Sequence, residues 1–260
     1  MPKVLIYDFD RGLNSLAPDN KVEKVFGYKP RRFVKSDSLI NTFDKLHELY
    51  IKVEQDVLGD VEEEWYRLRE GVDIDFEVVD SITAFQAQKK RDVKGTSARL
   101  TLPDWGVIGD DIESLVIKLT RTESNVIVIG HTKAMEDSDL GVTRYIPALS
   151  GRMREEMQRH FDIVAYTIVT ADQESGKRDY YWQVLADERR SAKCRLKEVS
   201  EWAAKTKGLI PQDYDLLWKK IKDGGYENVK MFVLGDSGTG KTYSLRTLSN
   251  LSPAETPDKE

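Results

Sequence analysis

The most regular feature of the chain is a set of short, continuous apolar runs, each ending in polar or small residues. KVLIY at Lys3–Tyr7 ends in Asp8-Phe9-Asp10, and FEVV at Phe76–Val79 in Asp80-Ser81. NVIVIG at Asn125–Gly130 ends in His131-Thr132-Lys133, and MFVL at Met231–Leu234 in Gly235-Asp236. Unbroken runs of this length predict strands covered on both faces, as in a parallel sheet. Between them the apolar positions fall at helical spacing over Ser38–Leu58, Thr83–Val93, Trp105–Thr120 and Ser150–His160, with Val61–Gly71 carrying helix onward and shorter helical pieces at Ser200–Lys207 and Tyr214–Lys222. Phe161–Thr170 and Tyr180–Leu185 predict an antiparallel edge pair with a turn at Ser175-Gly176. Tyr28–Val34 is a weaker apolar run interrupted by Pro30, the charge-rich Lys89–Arg99 reads as mobile or semi-ordered, and the polar Ala134–Tyr145 as a loop. Strands alternating with helices predict an α/β fold with an open, mostly parallel central sheet, helices on both faces, and ligands at the strand C-terminal ends.

Composition narrows this little. The 260 residues are 40% hydrophobic and 33% charged, which suits one large domain. A net charge of −5 argues against a broad basic surface, although the 40 Lys and Arg leave room for a local basic groove. The single cysteine, Cys194, excludes an intrachain disulfide and fits a reducing compartment. One Cys and three His make no zinc-ligand pattern. No apolar run reaches membrane-spanning length and the N-terminus opens on a strand, so neither anchor nor signal peptide is expected and the cytoplasm is the expected location.

Candidate chemistry concentrates near the C-terminus. Gly235-Asp236-Ser237-Gly238-Thr239-Gly240-Lys241-Thr242 satisfies G-x-x-x-x-G-K-[ST] at every fixed position, between an apolar run and a helix-forming stretch. Glycines let the backbone wrap closely around phosphates, successive N–H groups line the anion, Lys241 reaches the terminal phosphates, and the Thr242 hydroxyl can ligate Mg2+. Tyr243 completes the candidate nucleotide-binding set. Asp80, a carboxylate directly after an apolar strand, is the expected second partner of Mg2+, with Ser81 beside it. Asp8 and Asp10 point the same way at the end of the first strand, and either carboxylate can polarise an attacking water; Asp10 has the greater reach. His131 and Thr132 stand where a side chain can sense the γ-phosphate. Among the charges of Asp187–Arg195, Lys193 and Arg195 are candidates to complete a neighbouring subunit's phosphate site. Lys89–Arg91 and Gly151–Arg154 are the best local basic spots for a nucleic-acid backbone.

A phosphate loop needs carboxylate-bearing strands of the same sheet, and in this chain they precede it. One possibility is a fragment of a second domain. The other is a circularly permuted order in which residues 229–248 supply the usual first strand, loop and helix of one domain spanning residues 1–248, leaving 249–260 as a tail or linker. The second uses every apolar strand once, leaves no orphan edge, and docks the last strand beside VLIYDFD and FEVVD.

Rotated to begin at Val229, the chain resembles a RecA-like P-loop NTPase, and more closely the phage ATPases of the single-strand annealing and recombination group. VLIYDFDRGL resembles the strand bearing the water-activating acid, with Asp10 where Glu is more usual. FEVVDSITAF resembles the magnesium-site strand, and NVIVIGHTKA the phosphate-sensing strand, with His131 where Gln is more usual. RSAKCR resembles the Ala-Lys-x-Arg segment of these ATPases, supporting Lys193 and Arg195 at a subunit junction, and Asp104-Trp105-Gly106 resembles a structural segment before a helix. The resemblance implies Mg2+-dependent ATP hydrolysis coupled to single-stranded DNA, a homo-oligomeric ring or filament, further phage recombination proteins as partners, and action in the host cytoplasm. Two other functions stay open on the residues alone: a nucleotide-dependent small-molecule kinase, and a nucleotide-binding assembly protein with little hydrolysis.

Overall fold

The structure is a computed structural model and describes residues 3–9, 33–36, 47–53, 74–95, 97, 99–138, 141–171 and 177–250. The chain order begins β1 (Lys3–Asp8), β2 (Phe33–Ser36), β3 (His47–Val53), β4 (Phe76–Asp80), α1 (Ile82–Lys94) and α2 (Leu102–Thr120). It continues through β5 (Asn125–Asp137), β6 (Val142–Pro147), α3 (Met153–Glu156), β7 (Ile163–Ala171), β8 (Arg178–Gln183) and β9 (Lys193–Cys194). It closes with α4 (Lys197–Ala204), β10 (Leu209–Pro211), α5 (Tyr214–Asp223), β11 (Lys230–Gly235) and α6 (Lys241–Ser244), the last running into a 3-10 segment at Leu245–Asn250.

The strands form a sheet in the order β10-β8-β7-β11-β5-β4-β1-β3-β2. From β7 to β3 every neighbouring pair is parallel; β8, β10 and β2 are antiparallel additions at the two edges. This is the expected mixed α/β architecture with a mostly parallel centre. Alternation along each central strand sends side chains to opposite faces. Met231 and Val233 join Ile127, Ile129 and Val78 in one apolar cluster with α4 and α5, through Val199, Leu217, Trp218 and Ile221. Phe232 and Leu234 join Val126, Val128 and Val79 in the other, with α1 and α2 through Phe85, Ile108, Ile112 and Val116. Helices therefore cover both faces, and the continuous apolar runs follow from that. Full burial of each such side chain favours folding by about 1.5–3 kcal/mol, so the central strands anchor the loops at their ends.

Four readings from the sequence change. The helical spacing at Ser38–Leu58 contains a strand, β3, paired with β1 from Lys3↔His47 to Tyr7↔Ile51. HELYIKV has apolar residues at Leu49, Ile51 and Val53, so a period of two is also present, and the open edge of β1 decides between the periods. The polar Ala134–Tyr145 is not a loop. β5 runs on to Asp137 and turns back as β6, with Lys133↔Ile146 and Met135↔Arg144 in register. Lys89–Arg99 is helical as far as Lys94, because its charges have partners: Lys89 Nζ lies 3.0 Å from Asp111 Oδ2, and Lys90 donates to Ser150 Oγ at 2.9 Å while lying over the Trp105 ring. Finally, β11 does not sit directly beside β1 and β4. It lies between β5 and β7, with β5 separating it from β4.

The helix read from Trp105 begins earlier, at Leu102, because Thr101 and Asp104 form a reciprocal capping box, so the Asp104-Trp105-Gly106 segment lies within the helix's first turns rather than before it. The predicted edge pair is β7 and β8. Among the described residues no helix is long and apolar enough to cross a membrane. Val61–Gly71, Ser175-Gly176 and residues 251–260 lie outside the described residues.

Candidate nucleotide-binding site

The phosphate loop leaves the end of β11, in the middle of the parallel strands. Gly235 closes that strand under severe crowding: a Cβ there would lie 1.6 Å from Thr167 Oγ1 and 2.9 Å from Thr239 Oγ1. Thr167 belongs to the neighbouring β7 and donates to Thr239 Oγ1 at 2.7 Å, so strand and loop are tied across the space a side chain would need. Gly235→Ala is expected to cost about 1–3 kcal/mol by overpacking, seen as a lowered unfolding midpoint in denaturant. An unchanged midpoint would show that Thr167 can rotate away freely. Gly238 and Gly240 take the left-handed conformation, with φ 78° and 77°, which other residues adopt only under strain.

Lys241 folds back over this loop. Its Nζ donates to Gly235 O at 2.9 Å and to Asp236 O at 2.6 Å, and the side chain is buried. Both acceptors are neutral carbonyls. An anionic oxygen is a stronger partner for an ammonium, so this arrangement is one that a phosphate can displace. Thr242 Oγ1 donates to Asp80 Oδ2 at 2.7 Å, linking residues 162 positions apart in sequence. Asp80 is itself buried at the end of β4. Close by, burial holds the Tyr214 phenol well above its ordinary range, and the Asp80 charge works in the same direction. Ser81 caps α1 by accepting from Ala84 N, which fixes the turn that follows Asp80. The backbone of Phe9 donates to Asp80 O at 2.6 Å, so the ends of β1 and β4 are joined directly. Asp10, one residue further on, lies outside the described residues.

β5 supplies the other wall. His131 N donates to Thr83 Oγ1 at 2.9 Å, and Thr132 Oγ1 donates to Asp236 Oδ1 in the phosphate loop. The strand that carries His131 is thus bonded to the loop before it continues into the β5–β6 hairpin. Gly130 fits closely, since a Cβ there would lie 3.0 Å from the Phe232 ring of β11.

Lys241, Thr242, Asp80, Asp236 and Thr132 are therefore brought together, with His131 adjoining. Lys193 and Arg195 are not. Lys193 pairs with Val164 near the start of β7, and Arg195 N donates to Asp162 O, toward the sheet end opposite the phosphate loop. Burial and the Arg195 charge lower the Lys193 pKa. The other basic spots are engaged internally: Arg152 pairs with Asp110 and Glu113 at 2.6 and 2.9 Å, and Arg154 donates to Leu149 O. Tyr243 is 57% exposed beside the loop. Sequence reasoning missed Thr167 and Thr83, which carry no motif and matter only because their strands and helices adjoin the loop.

The donor set fits a magnesium ion bound together with a nucleotide. A buried carboxylate and a hydroxyl 2.7 Å apart are hard oxygen donors, and such sites take their remaining ligands from phosphates and water. No group of three or more His, Cys, Asp or Glu able to hold a metal occurs among the described residues.

The family model described as AAA domain matches residues 1–206. No curated protein and no solved structure matches the chain. The matched residues include β4 with Asp80 and β5 with His131, while β11 and the phosphate loop follow them. An AAA domain points to ATP binding and hydrolysis. With a model that covers most of its length, the chain belongs to the AAA domain family.

Proposed function

We propose that this protein is a Mg2+-dependent ATPase whose turnover is coupled to single-stranded DNA binding and annealing in phage recombination. The observation that carries the ATPase reading is the Thr242–Asp80 hydrogen bond, which joins the phosphate loop to the carboxylate strand of the same sheet. In this reading Lys241 leaves the loop carbonyls to hold the β- and γ-phosphates. The backbone of Gly235–Thr242 surrounds them, and Tyr243 borders the nucleotide. Thr242 and Asp80 hold Mg2+, which when bound neutralises the phosphate oxygens. Asp10 accepts a proton from the attacking water. His131 senses the γ-phosphate and, through Thr132 and its bond to Asp236, couples that state to the β5–β6 hairpin.

The order of elements supports a circular permutation, since the last strand of the chain occupies the middle of its sheet. In this reading residues 1–248 form one domain, with 249–260 as a tail or linker. The distance of Lys193 and Arg195 from their own phosphate loop supports a role in trans, at the nucleotide of a neighbouring subunit in a ring or filament. The coupling to DNA and to other recombination proteins, and the host cytoplasm as location, rest on the resemblance of the rotated chain to the phage ATPases.

The test is ATP hydrolysis measured with and without single-stranded DNA, alongside particle mass in solution. Expected are Mg2+-dependent turnover, stimulation by DNA, and a particle larger than a monomer. Loss of turnover with binding retained is expected in Asp10→Asn. A monomer at every concentration with no stimulation would rule out the recombination role. Equal slow turnover in Asp10→Asn and the unchanged chain would favour a binding protein over an enzyme.

A further inference from the structure

The two flanks of the phosphate loop differ chemically. On the β5 and β4 flank stand Thr132, Thr242 and Asp80, where the terminal phosphates and the metal belong in the ATPase reading, on which this inference rests. The opposite flank is formed by β7, β8 and β10. There, a Cβ built on Gly240 would lie 3.3 Å from Tyr180 Cδ1 and 3.7 Å from Gln212 Nε2. Tyr180 stands on β8 and is 39% exposed, an aromatic residue partly open to solvent beside the loop. Gln212 follows β10, and its backbone N donates to Tyr180 O at 3.1 Å, which holds the two residues side by side.

Gln212 has a second property. Both its amide oxygen and its amide nitrogen are buried, and neither has a hydrogen-bond partner among the described residues. Buried amides are almost always bonded, and leaving donor and acceptor both unmade is destabilising. A ligand that answers both removes that penalty.

We propose that Tyr180 and Gln212 form the nucleoside subsite, the Tyr180 ring stacking on the base and the Gln212 amide bonding its edge. A triphosphate is a linear anchor. With its terminal phosphates toward Asp80, its nucleoside leaves over the β8 flank, where this pair stands. The adenine edge places an amino donor beside a ring-nitrogen acceptor, the complement of a side-chain amide. Aromatic stacking supplies affinity that does not depend on that edge.

Affinities for Mg-ATP and for inorganic triphosphate, measured by calorimetry on the full chain, separate the possibilities. Tyr180→Ala and Gln212→Ala are each expected to weaken ATP about 10-fold while leaving inorganic triphosphate within about 2-fold, and Tyr180→Phe to bind ATP normally. Unchanged ATP affinity in both alanine variants would overturn the subsite. So would a parallel loss of both ligands, which would put these residues on the phosphates or in the fold. If the unchanged chain binds both ligands equally, the nucleoside subsite is wrong and the phosphate site stands. If it binds neither, the ATPase reading falls and the subsite with it.

Discussion

Lys241→Ala is expected to lower ATP turnover by at least about 100-fold, the scale on which removal of a preorganised charge-stabilising donor acts. It is also expected to weaken the protein before any nucleotide arrives. Its ammonium is buried and bonded to Gly235 O at 2.9 Å and Asp236 O at 2.6 Å, so truncation leaves two loop carbonyls without that donor. The unliganded chain should lose about 1–3 kcal/mol, read as a lowered midpoint in denaturant. Lys241→Arg is not a conservative control, because a planar guanidinium cannot reproduce a compact charge held against two carbonyls. The diagnostic comparison is the shift in thermal midpoint on adding ATP. It should be present in the unchanged chain and absent in Lys241→Ala. A variant that keeps full turnover would remove the loop from the chemistry.

Asp80→Asn is expected to separate chemistry from folding. The side chain is nearly isosteric, and its amide oxygen can still accept from the Thr242 hydroxyl, which now donates to Oδ2 at 2.7 Å. Packing around β4 should survive. What disappears is a negative charge that is 98% sequestered, the residue being 2% exposed. Turnover should fall about 100-fold, and the magnesium concentration needed for half-maximal rate should rise. Stability without nucleotide should change by less than about 1 kcal/mol, since the shape of the side chain and the hydrogen bond from Thr242 are both kept. Full turnover at every magnesium concentration would dismiss Asp80 as a metal ligand. A collapse in stability would mean that its charge holds the fold together.

The strands of the sheet centre were legible because parallel strands buried on both faces must be apolar without interruption, as KVLIY, FEVV, NVIVIG and MFVL are. Their ends were legible for the same reason: the first polar residue after such a run stands at the C-terminal end of its strand, where ligands of open α/β sheets gather. The phosphate loop could be read directly, because its function needs particular residue types at consecutive backbone positions. β3 was misread because HELYIKV carries both a helical and an alternating period, and nothing local chooses between them. The β5–β6 hairpin was missed because its residues are polar on the exposed side, and register across a turn is set by pairing. Lys89 and Lys90 looked mobile because their partners, Asp111 and Ser150, are distant in sequence.

Sequence alone therefore determined the fold class, the phosphate loop and the acidic strand ends, all of which depend on local residue order. Tertiary structure decided that the last strand lies between β5 and β7, that Thr242 meets Asp80 across 162 residues, and that Tyr180 and Gln212 stand together over Gly240. Those relations come from strand pairing and from packing on both faces of one sheet. The partners they join are far apart along the chain, and only the register between strands puts them within hydrogen-bonding distance.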